Sequence, residues 1–432
     1  VTYKEALAFL DSLVNYERQP KPRDEFKLDN LRRALDLAGN PEKKIRNVIL
    51  IAGTKGKGSV SYMIEAGLRG CGLKTGLFVS PHLVSVRERM QLNGQPVEKR
   101  IFARLMASWQ PLVRRMGLSY FETLTAMAFR LFTQEDVDYA VVEVGLGGRL
   151  DATNLSEPAV AVITRIGYDH IQVLGSTLTR IAREKAGIMR AGKPVVIGPQ
   201  SEEAKTELKR QAEKTGAVPV WVEERTRVWD ELIGDGGLSF SCFTELGAGR
   251  VELKVLGRHQ VENCRIALTV LGIIARQEPR VKFEPAVKAI AGLVIPGRCQ
   301  IVRKKPLLIV DSCHNPESGA ALGGVLRDYL KEKVILIYGS LRKKLVKRTL
   351  APIAPWVDTA IVVSPDSPRA MTPGVLKGIL RRLGVFCETA PNLPAALKRA
   401  EELAVGRLPI VIAGSFYLAG AALALLTGRD ID

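Results

Sequence analysis

At 432 residues, 46% hydrophobic and 25% charged, the chain has the composition of a folded protein of two or three domains. No run of eighteen apolar residues offers a membrane span, the N-terminus is amphipathic and charged rather than a signal peptide, and six scattered cysteines without a C-x-x-C pair point to neither zinc nor a disulfide framework, so a reduced cytoplasmic protein is expected. The net charge of +18 is spread along the chain beside only 6% aromatic residues, which favours small polyanions such as a nucleotide as partners over nucleic acid.

The first apolar run, Val48 to Ala52, suits a buried parallel strand, and Val60 to Leu68 has the apolar spacing of a helix. Between them lies GTKGKGS (53–59). The common phosphate-loop pattern G-x-x-x-x-G-K-[ST] sets lysine directly before the hydroxyl residue, whereas here Gly58 separates Lys57 from Ser59. The physical context still suits an anion: a strand-to-helix loop aims backbone N–H groups and a helix dipole at one spot. Gly53, Gly56 and Gly58 permit close approach, Lys57 supplies charge, and Ser59 offers a hydroxyl to Mg²⁺. The alternative is a turn that merely needs glycine.

Further strand-like runs follow at 75–80, 139–145, 159–167 and 193–198, alternating with helical stretches, which predicts a mostly parallel sheet with helices on both faces. Residues 236–257 alternate with glycine breaks and read as a small antiparallel element. After the helix-like HQVENCRIALTVLGIIARQ, Pro296 and Gly297 mark a linker, giving an ATPase-type domain over 1–296 and a smaller Rossmann-like α/β domain over 297–432. The second domain carries apolar runs at 306–312, 333–340, 358–364 and 408–415.

Open α/β sheets bind ligands at the C-terminal ends of their strands. Glu143, in VVEVG, and His170, after AVAVITRIG, fall at that edge near the glycine loop, and with the hydroxyls of Ser59 and Ser80 they suit Mg²⁺. Arg149, Asp151 and Asn154 leave a glycine turn, which is either a functional loop or ordinary turn chemistry. Asp311, ending a strand in DSCHNP, fits either a ribose partner or the N-cap of the next helix; His314 and Asn315 enter the loop beyond it.

The ordered motifs GTKGKGS, SPHLVSVRERMQLNGQP, FETLTAMAF, VVEVGLGGRLDATN, DHIQVLGSTLTRIAREKAGIM, GRHQVENCRIAL, PGR, DSCHNP and AGSFYLAG resemble the folylpolyglutamate synthases and dihydrofolate synthases of the Mur ligase superfamily. The resemblance covers nearly the whole chain, and in that family the phosphate loop carries the extra glycine. It implies an ATP-dependent amide ligase that adds L-glutamate to a reduced folate, with dihydropteroate as a second substrate, acting as a monomer. Gly56, Lys57, Gly58 and Ser59 match the ATP-phosphate positions, and Ser80, Glu143 and His170 the Mg²⁺ ligands. Lys185 matches a lysine carried as a carbamate, and Asn263, Arg298, Asp311 and His314 match nucleotide contacts. Lys57, Lys185 and His314 are thereby the expected catalytic set. Phe121, Glu122, Arg149, Asp151 and Ser415 are expected on the substrate side.

DSCHNP stands where D-G-A-H-N-P is common, and GSLRKKL (339–345) retains only Lys344 of the G-x-x-x-D-K-D form. FKLDNLRRALDLAGNP (26–41) lacks the L-G-L-x-R of some dihydrofolate synthases. The competing readings are a superfamily ligase acting on peptidoglycan precursors, against which the short stretch before Gly53 counts, and a basic P-loop nucleic-acid binder.

Overall fold

The computed structural model describes residues 1–17, 27–234, 237–342, 344–405 and 407–432. Phe26, at the start of the early segment noted above, lies outside them. The first sheet contains β1 (Val48–Ala52), β2 (Thr75–Phe78), β3 (Met90–Leu92), β4 (Gln95–Pro96), β5 (Tyr139–Glu143), β6 (Pro158–Ile163), β7 (Pro194–Ile197) and β8 (Val218–Trp221). Their order is β4-β3-β2-β5-β1-β6-β7-β8. Pairing is parallel from β2 to β8, with an antiparallel edge at β3 and β4.

Every residue of β1 and β5 is buried, which is why these strands read as continuous apolar runs instead of alternating ones. Leu50 and Ala52 face one core together with Phe102, Leu124 and Phe129 from the helices Lys99–Met116 and Tyr120–Gln134. Ile49 and Ile51 face the other, against Val60, Ile64 and Leu68 of the helix Lys57–Gly70 and Leu271 of the helix His259–Ala275. An antiparallel sheet of β9 (Arg227–Gly234), β10 (Gly237–Thr244) and β11 (Gly247–Leu253) closes that second core with Leu238, Phe240 and Val251.

The remaining strands are β12 (Gln300–Lys304), β13 (Leu307–Val310), β14 (Val334–Tyr338), β15 (Val357–Val362), β16 (Phe386–Thr389) and β17 (Ile410–Ala413). They form a second sheet in the order β12-β13-β17-β14-β15-β16, parallel except for β12. The chain is therefore α/β throughout, with a large, mostly parallel sheet followed by a smaller one. No helix of the described residues is long and apolar enough to cross a membrane.

The two sheets meet through the loop that follows β2. Val84 is buried in the core of the second sheet beside Leu418 and Leu423. Leu83 lies so close to the helix Phe416–Thr427 that a Cβ on Gly420 would overlap its carbonyl oxygen, and a Cβ on Gly297 would come within 2.7 Å of its side chain. Asp432 reaches back to accept hydrogen bonds from Tyr3 Oη (2.7 Å) and Val86 N (2.8 Å). Gly420→Ala should therefore destabilise the protein by about 1–3 kcal/mol, the usual cost of overpacking. Gly324→Ala, where nothing lies within 4 Å of the new methyl group, should leave stability unchanged or raised. Thermal unfolding of the two variants against the parent measures the contrast.

Candidate active site

The loop after β1 is held from below by the loop after β6. Thr54 N and Lys55 N donate to Arg165 O (3.0 and 3.1 Å), Thr54 Oγ1 donates to Gly167 O (3.1 Å), and a Cβ on Gly53 would overlap the Thr164 hydroxyl. Gly56 caps the helix Lys57–Gly70 in the left-handed conformation (φ 88°), without a side-chain hydrogen bond to the first turn. A side chain at 56 would strike Asn263 Oδ1, so Asn263 of the helix His259–Ala275 packs directly on the loop. Lys57, Gly58 and Ser59 thus open a helix whose positive end is available to an anion.

Glu143 ends β5 opposite this helix start. Its Oε2 accepts a hydrogen bond from Ser80 N (3.0 Å) and lies 3.6 Å from where a Cβ on Gly58 would stand. Burial raises its pKa, against the opposing pull of the Lys57 charge, the Ser80 N–H, Arg298 and Arg89. His170 is in the left-handed region (φ 48°) beside Asp169, which accepts a hydrogen bond from Lys55 Nζ (3.3 Å). Burial lowers the His170 pKa, as do the Lys57, Lys185 and Lys344 charges, while Asp169 opposes the shift.

Among the described residues no three His, Cys, Asp or Glu side chains form a closed metal cage. One carboxylate with hydroxyls and an imidazole nearby is instead the sparse set that Mg²⁺ accepts, since it retains waters and takes further oxygens from phosphates. The glycine cradle, the helix start and Lys57 likewise fit a polyphosphate.

Lys185, on the helix Leu178–Ala186, is buried and donates from Nζ to Gly53 O (2.7 Å). Burial lowers its pKa well below the ordinary lysine value, and the Lys57 and Lys55 charges add to the shift. A neutral amine is the form a lysine needs to act as a nucleophile or to be carbamylated.

The second sheet contributes a compact group at the ends of β12 and β13. Asp311 accepts hydrogen bonds from Cys299 N (2.7 Å) and Cys313 N (2.8 Å). It therefore shapes the turn, and the N-cap of the helix Pro316–Val325 is Asn315, not Asp311. Arg298 Nη1 donates to Ser312 Oγ (2.7 Å), and its guanidinium lies 5.5 Å from the Phe416 ring centroid. The His314 ring packs on the same phenyl group at 5.0 Å.

On the expected substrate side, Phe121 packs on Phe78 (5.8 Å) and would clash with any side chain at Gly145, placing its ring against the loop after β5. Arg149 Nε donates to Glu184 Oε1 (3.1 Å). Three of the expected residues are engaged in local structure. Glu122 Oε2 accepts from Ser119 N and Oγ (2.8 and 2.6 Å) as the far half of a capping box. Asp151 takes Leu146 N, Thr153 N and Thr153 Oγ1 to fold its own loop. Ser415 is 1% exposed and accepts from Leu418 N (3.1 Å) as a helix cap. Sequence reasoning passed over Asp169, Phe416 and Arg89. Arg89 is 2% exposed, pairs with both Glu17 oxygens (2.7 Å each) and donates to His82 Nδ1 (2.9 Å). A carboxylate just beyond an apolar strand run gave a signal only for Asp169, which follows AVAVITRIG in GYDH.

Residues 51–271 match the Mur ligase middle domain and residues 297–416 match the Mur ligase glutamate ligase domain. The dihydrofolate synthase/folylpolyglutamate synthase of Mycobacterium tuberculosis is 34% identical over 96% of this chain and 92% of its own length. The chain belongs to this Mur ligase family. A Mycobacterium tuberculosis folylpolyglutamate synthase structure complexed with ADP and AMPPCP superposes with a TM-score of 0.87 at 31% identity, covering all of both chains. The apo form of the Lacticaseibacillus casei enzyme gives 0.87 at 27% identity over 99% of this chain and 100% of that one. A probable bifunctional folylpolyglutamate synthase/dihydropteroate synthase of Haloferax volcanii is 31% identical over 97% of this chain. The chain spans half the length of that relative and of its Halobacterium salinarum counterpart.

In this Mur ligase, burial and the Lys344, Arg298 and Lys55 charges push the His314 pKa down to about 4, against the hydrogen bond to Ser312 O. The unfolded chain takes up that proton near pH 6.5, so folding stability is lost as pH falls from 6.5 toward 4 and is unaffected by this group above that window. His314→Gln should remove about 2–3 kcal/mol of that acid sensitivity. Urea unfolding at pH 7 and pH 4 measures it: the variant gains on the parent only at the lower pH.

Proposed function

We propose that the chain is a cytoplasmic, monomeric ATP-dependent amide ligase that joins L-glutamate to a reduced folate, with dihydropteroate as a second acceptor. Residues 1–296 form its ATP-binding unit and 297–432 the unit that closes on it. The observation that carries the reading is Lys57 in the first turn of a glycine-capped helix, set opposite the Glu143–Ser80 pair at the C-terminal edge of a parallel sheet.

When bound, ATP and Mg²⁺ supply the phosphoryl group that activates the folate carboxylate for attack by the glutamate amine. The chain's own residues position the reactants and neutralise charge. Gly56, Gly58 and Ser59 present backbone N–H groups to the phosphates, and Lys57 adds its cation. Ser80, Glu143 and His170 would hold the Mg²⁺. Lys185, whose pKa burial pushes well below the ordinary lysine value, would carry a carbamate formed by addition of CO₂ to its neutral amine with release of a proton, the negative charge offsetting the crowded lysines. Asn263 holds the phosphate loop from the nucleotide side, while Arg298, Asp311 and His314, steadied by Phe416, bring the second sheet to the nucleotide. Phe121, with Glu122, Arg149 and Asp151 shaping the loops around it, receives the pterin. Lys344, whose charge reaches His314, draws in the glutamate, and Ser415 caps the helix Phe416–Thr427 on which His314 packs.

ADP release with a reduced folate, dihydropteroate or a UDP-muramoyl acceptor, each with and without L-glutamate, tests the assignment. Glutamate-dependent release with the folate is the expected result, and release only with the muramoyl acceptor would move the chain to another branch of the superfamily. Lys57→Ala should reduce turnover about a hundredfold or more, as loss of a preorganised charge contact does, with thermal stability unchanged. Glu143→Gln should raise the Mg²⁺ concentration needed for half-maximal rate. An equal loss at every Mg²⁺ concentration would remove Glu143 from the metal site.

A further inference from the structure

The helix Lys57–Gly70, which the glycine loop opens, lies against the helix His259–Ala275 at two of its glycines. A Cβ on Gly67 would come within 2.6 Å of Leu271 Cδ1, an apolar contact inside the core. A Cβ on Gly56 would stand 2.3 Å from Asn263 Oδ1, at the loop end of the same pair of helices. Asn263 is thus the polar end of an otherwise apolar seam.

The Asn263 amide is held from within its own helix. Its Nδ2 donates to Gln260 Oε1 (2.9 Å), one turn earlier, and both side chains are buried, Gln260 completely. Gln260 Nε2, by contrast, finds no hydrogen-bond partner among the described residues. The chain entering this helix also reaches the second sheet, since a Cβ on Gly257 would come within 3.3 Å of Val325.

A buried amide with one group unpaired is a poor choice for stability: methionine or leucine would fill the space and leave no donor behind. What the amide does supply is an oxygen fixed in place, and that oxygen sets the plane of the Asn263 side chain. The last torsion of an asparagine is broad, so without this bond the carboxamide would turn freely against Gly56, the left-handed residue (φ 88°) that caps the helix Lys57–Gly70.

We propose that Gln260 is a positioning residue of the nucleotide site, acting through Asn263: it holds the Asn263 amide against Gly56 so that the glycine loop keeps the shape that receives phosphate. This inference rests on the nucleotide reading above. Residues 260 and 263 are neighbours on the helix surface, so their hydrogen bond is ordered before any nucleotide arrives and its entropy is not lost again on binding.

Calorimetric titration of ADP with Mg²⁺ into the parent, Gln260→Met, Gln260→Leu, Asn263→Ala and the Gln260→Met/Asn263→Ala double variant tests it, with thermal unfolding and the KM values for ATP and a reduced folate measured beside it. The expected result for both apolar variants at 260 is ADP binding weakened about five- to tenfold, with the KM for ATP raised alike, the KM for folate unchanged and thermal stability unchanged or raised. The double variant should bind ADP no more weakly than Asn263→Ala alone, because Gln260 has nothing left to position. Unchanged ADP affinity in the two apolar variants, or penalties that multiply in the double variant, would overturn the proposal. Loss of folding in both apolar variants would also overturn it, by making Gln260 a support of the fold. A parent that binds no ADP would instead remove the nucleotide reading itself.

Discussion

The arrangement depends on a crowd of positive charge gathered at one sheet edge with little to oppose it. Lys55, Lys57 and Lys185 come from the phosphate loop and the helix Leu178–Ala186, while Glu143 and Asp169 are the carboxylates set among them. Burial, with the Lys57 and Lys55 charges beside it, pushes the Lys185 pKa well below the ordinary lysine value, and its Nζ donates to Gly53 O. Such a field favours an anion, and the glycine-capped helix start is where its backbone N–H groups would meet one. The same field explains the protonation of its neighbours: Glu143 is pushed toward its neutral form by burial but held back by Lys57, and His170 and His314 are both disfavoured as cations.

The sheet order determines which residues can share this field. With β1 flanked by β5 and β6, the loops after these three strands emerge side by side, bringing Lys57, Glu143 and Asp169 together from distant parts of the chain. The second sheet answers with its own strand ends. Arg298 and His314 share the Phe416 ring, which ties the cationic and imidazole groups of the second sheet to the helix that packs against Leu83. Leu83 follows Ser80 closely in the chain, and the loop carrying the Glu143 partner is therefore also the loop on which the second sheet rests. A change in the angle between the sheets would be felt directly at Ser80.

Much of this was legible in the residues themselves. Strands buried on both faces announce themselves as VILIA, YAVVE or VILIY because no alternation is needed, and the glycine loop between β1 and its helix fixes the ligand-binding edge. Two strands of the antiparallel element, β10 and β11, were visible over 236–257 as alternation broken by glycine, while β9 (Arg227–Gly234) lies wholly before that stretch and was missed. What stayed hidden was pairing over long separations. Nothing in the sequence joins Arg89 to Glu17, sets His314 on Phe416 or ties Lys55 to Asp169, because periodicity reports which face a residue occupies and says nothing about which distant side chain it meets. Local hydrogen bonding was equally hidden. Serine, aspartate and glutamate at helix starts serve the backbone first, and Ser415 and Glu122 were taken by N–H and hydroxyl donors next to them.

The glycine that separates Lys57 from Ser59 gains a physical reason from the position of Glu143. The helix begins at Lys57, so residue 58 is the first to turn toward the end of β5, and its missing Cβ would stand 3.6 Å from Glu143 Oε2. A methyl group there would make ordinary contact, but any longer side chain would lie between the carboxylate and the loop backbone. Glycine at 58 keeps the carboxylate facing the space above the first helical turn, where Lys57 supplies the opposing charge that restrains its rise in pKa. In the usual phosphate loop the lysine and hydroxyl residue are adjacent; here Gly58, next to Glu143, stands between them, and Ser59 follows in the same turn and is buried. The glycine that departs from the common pattern thus lies beside the acid, between a lysine and a hydroxyl in the first turn of a single helix.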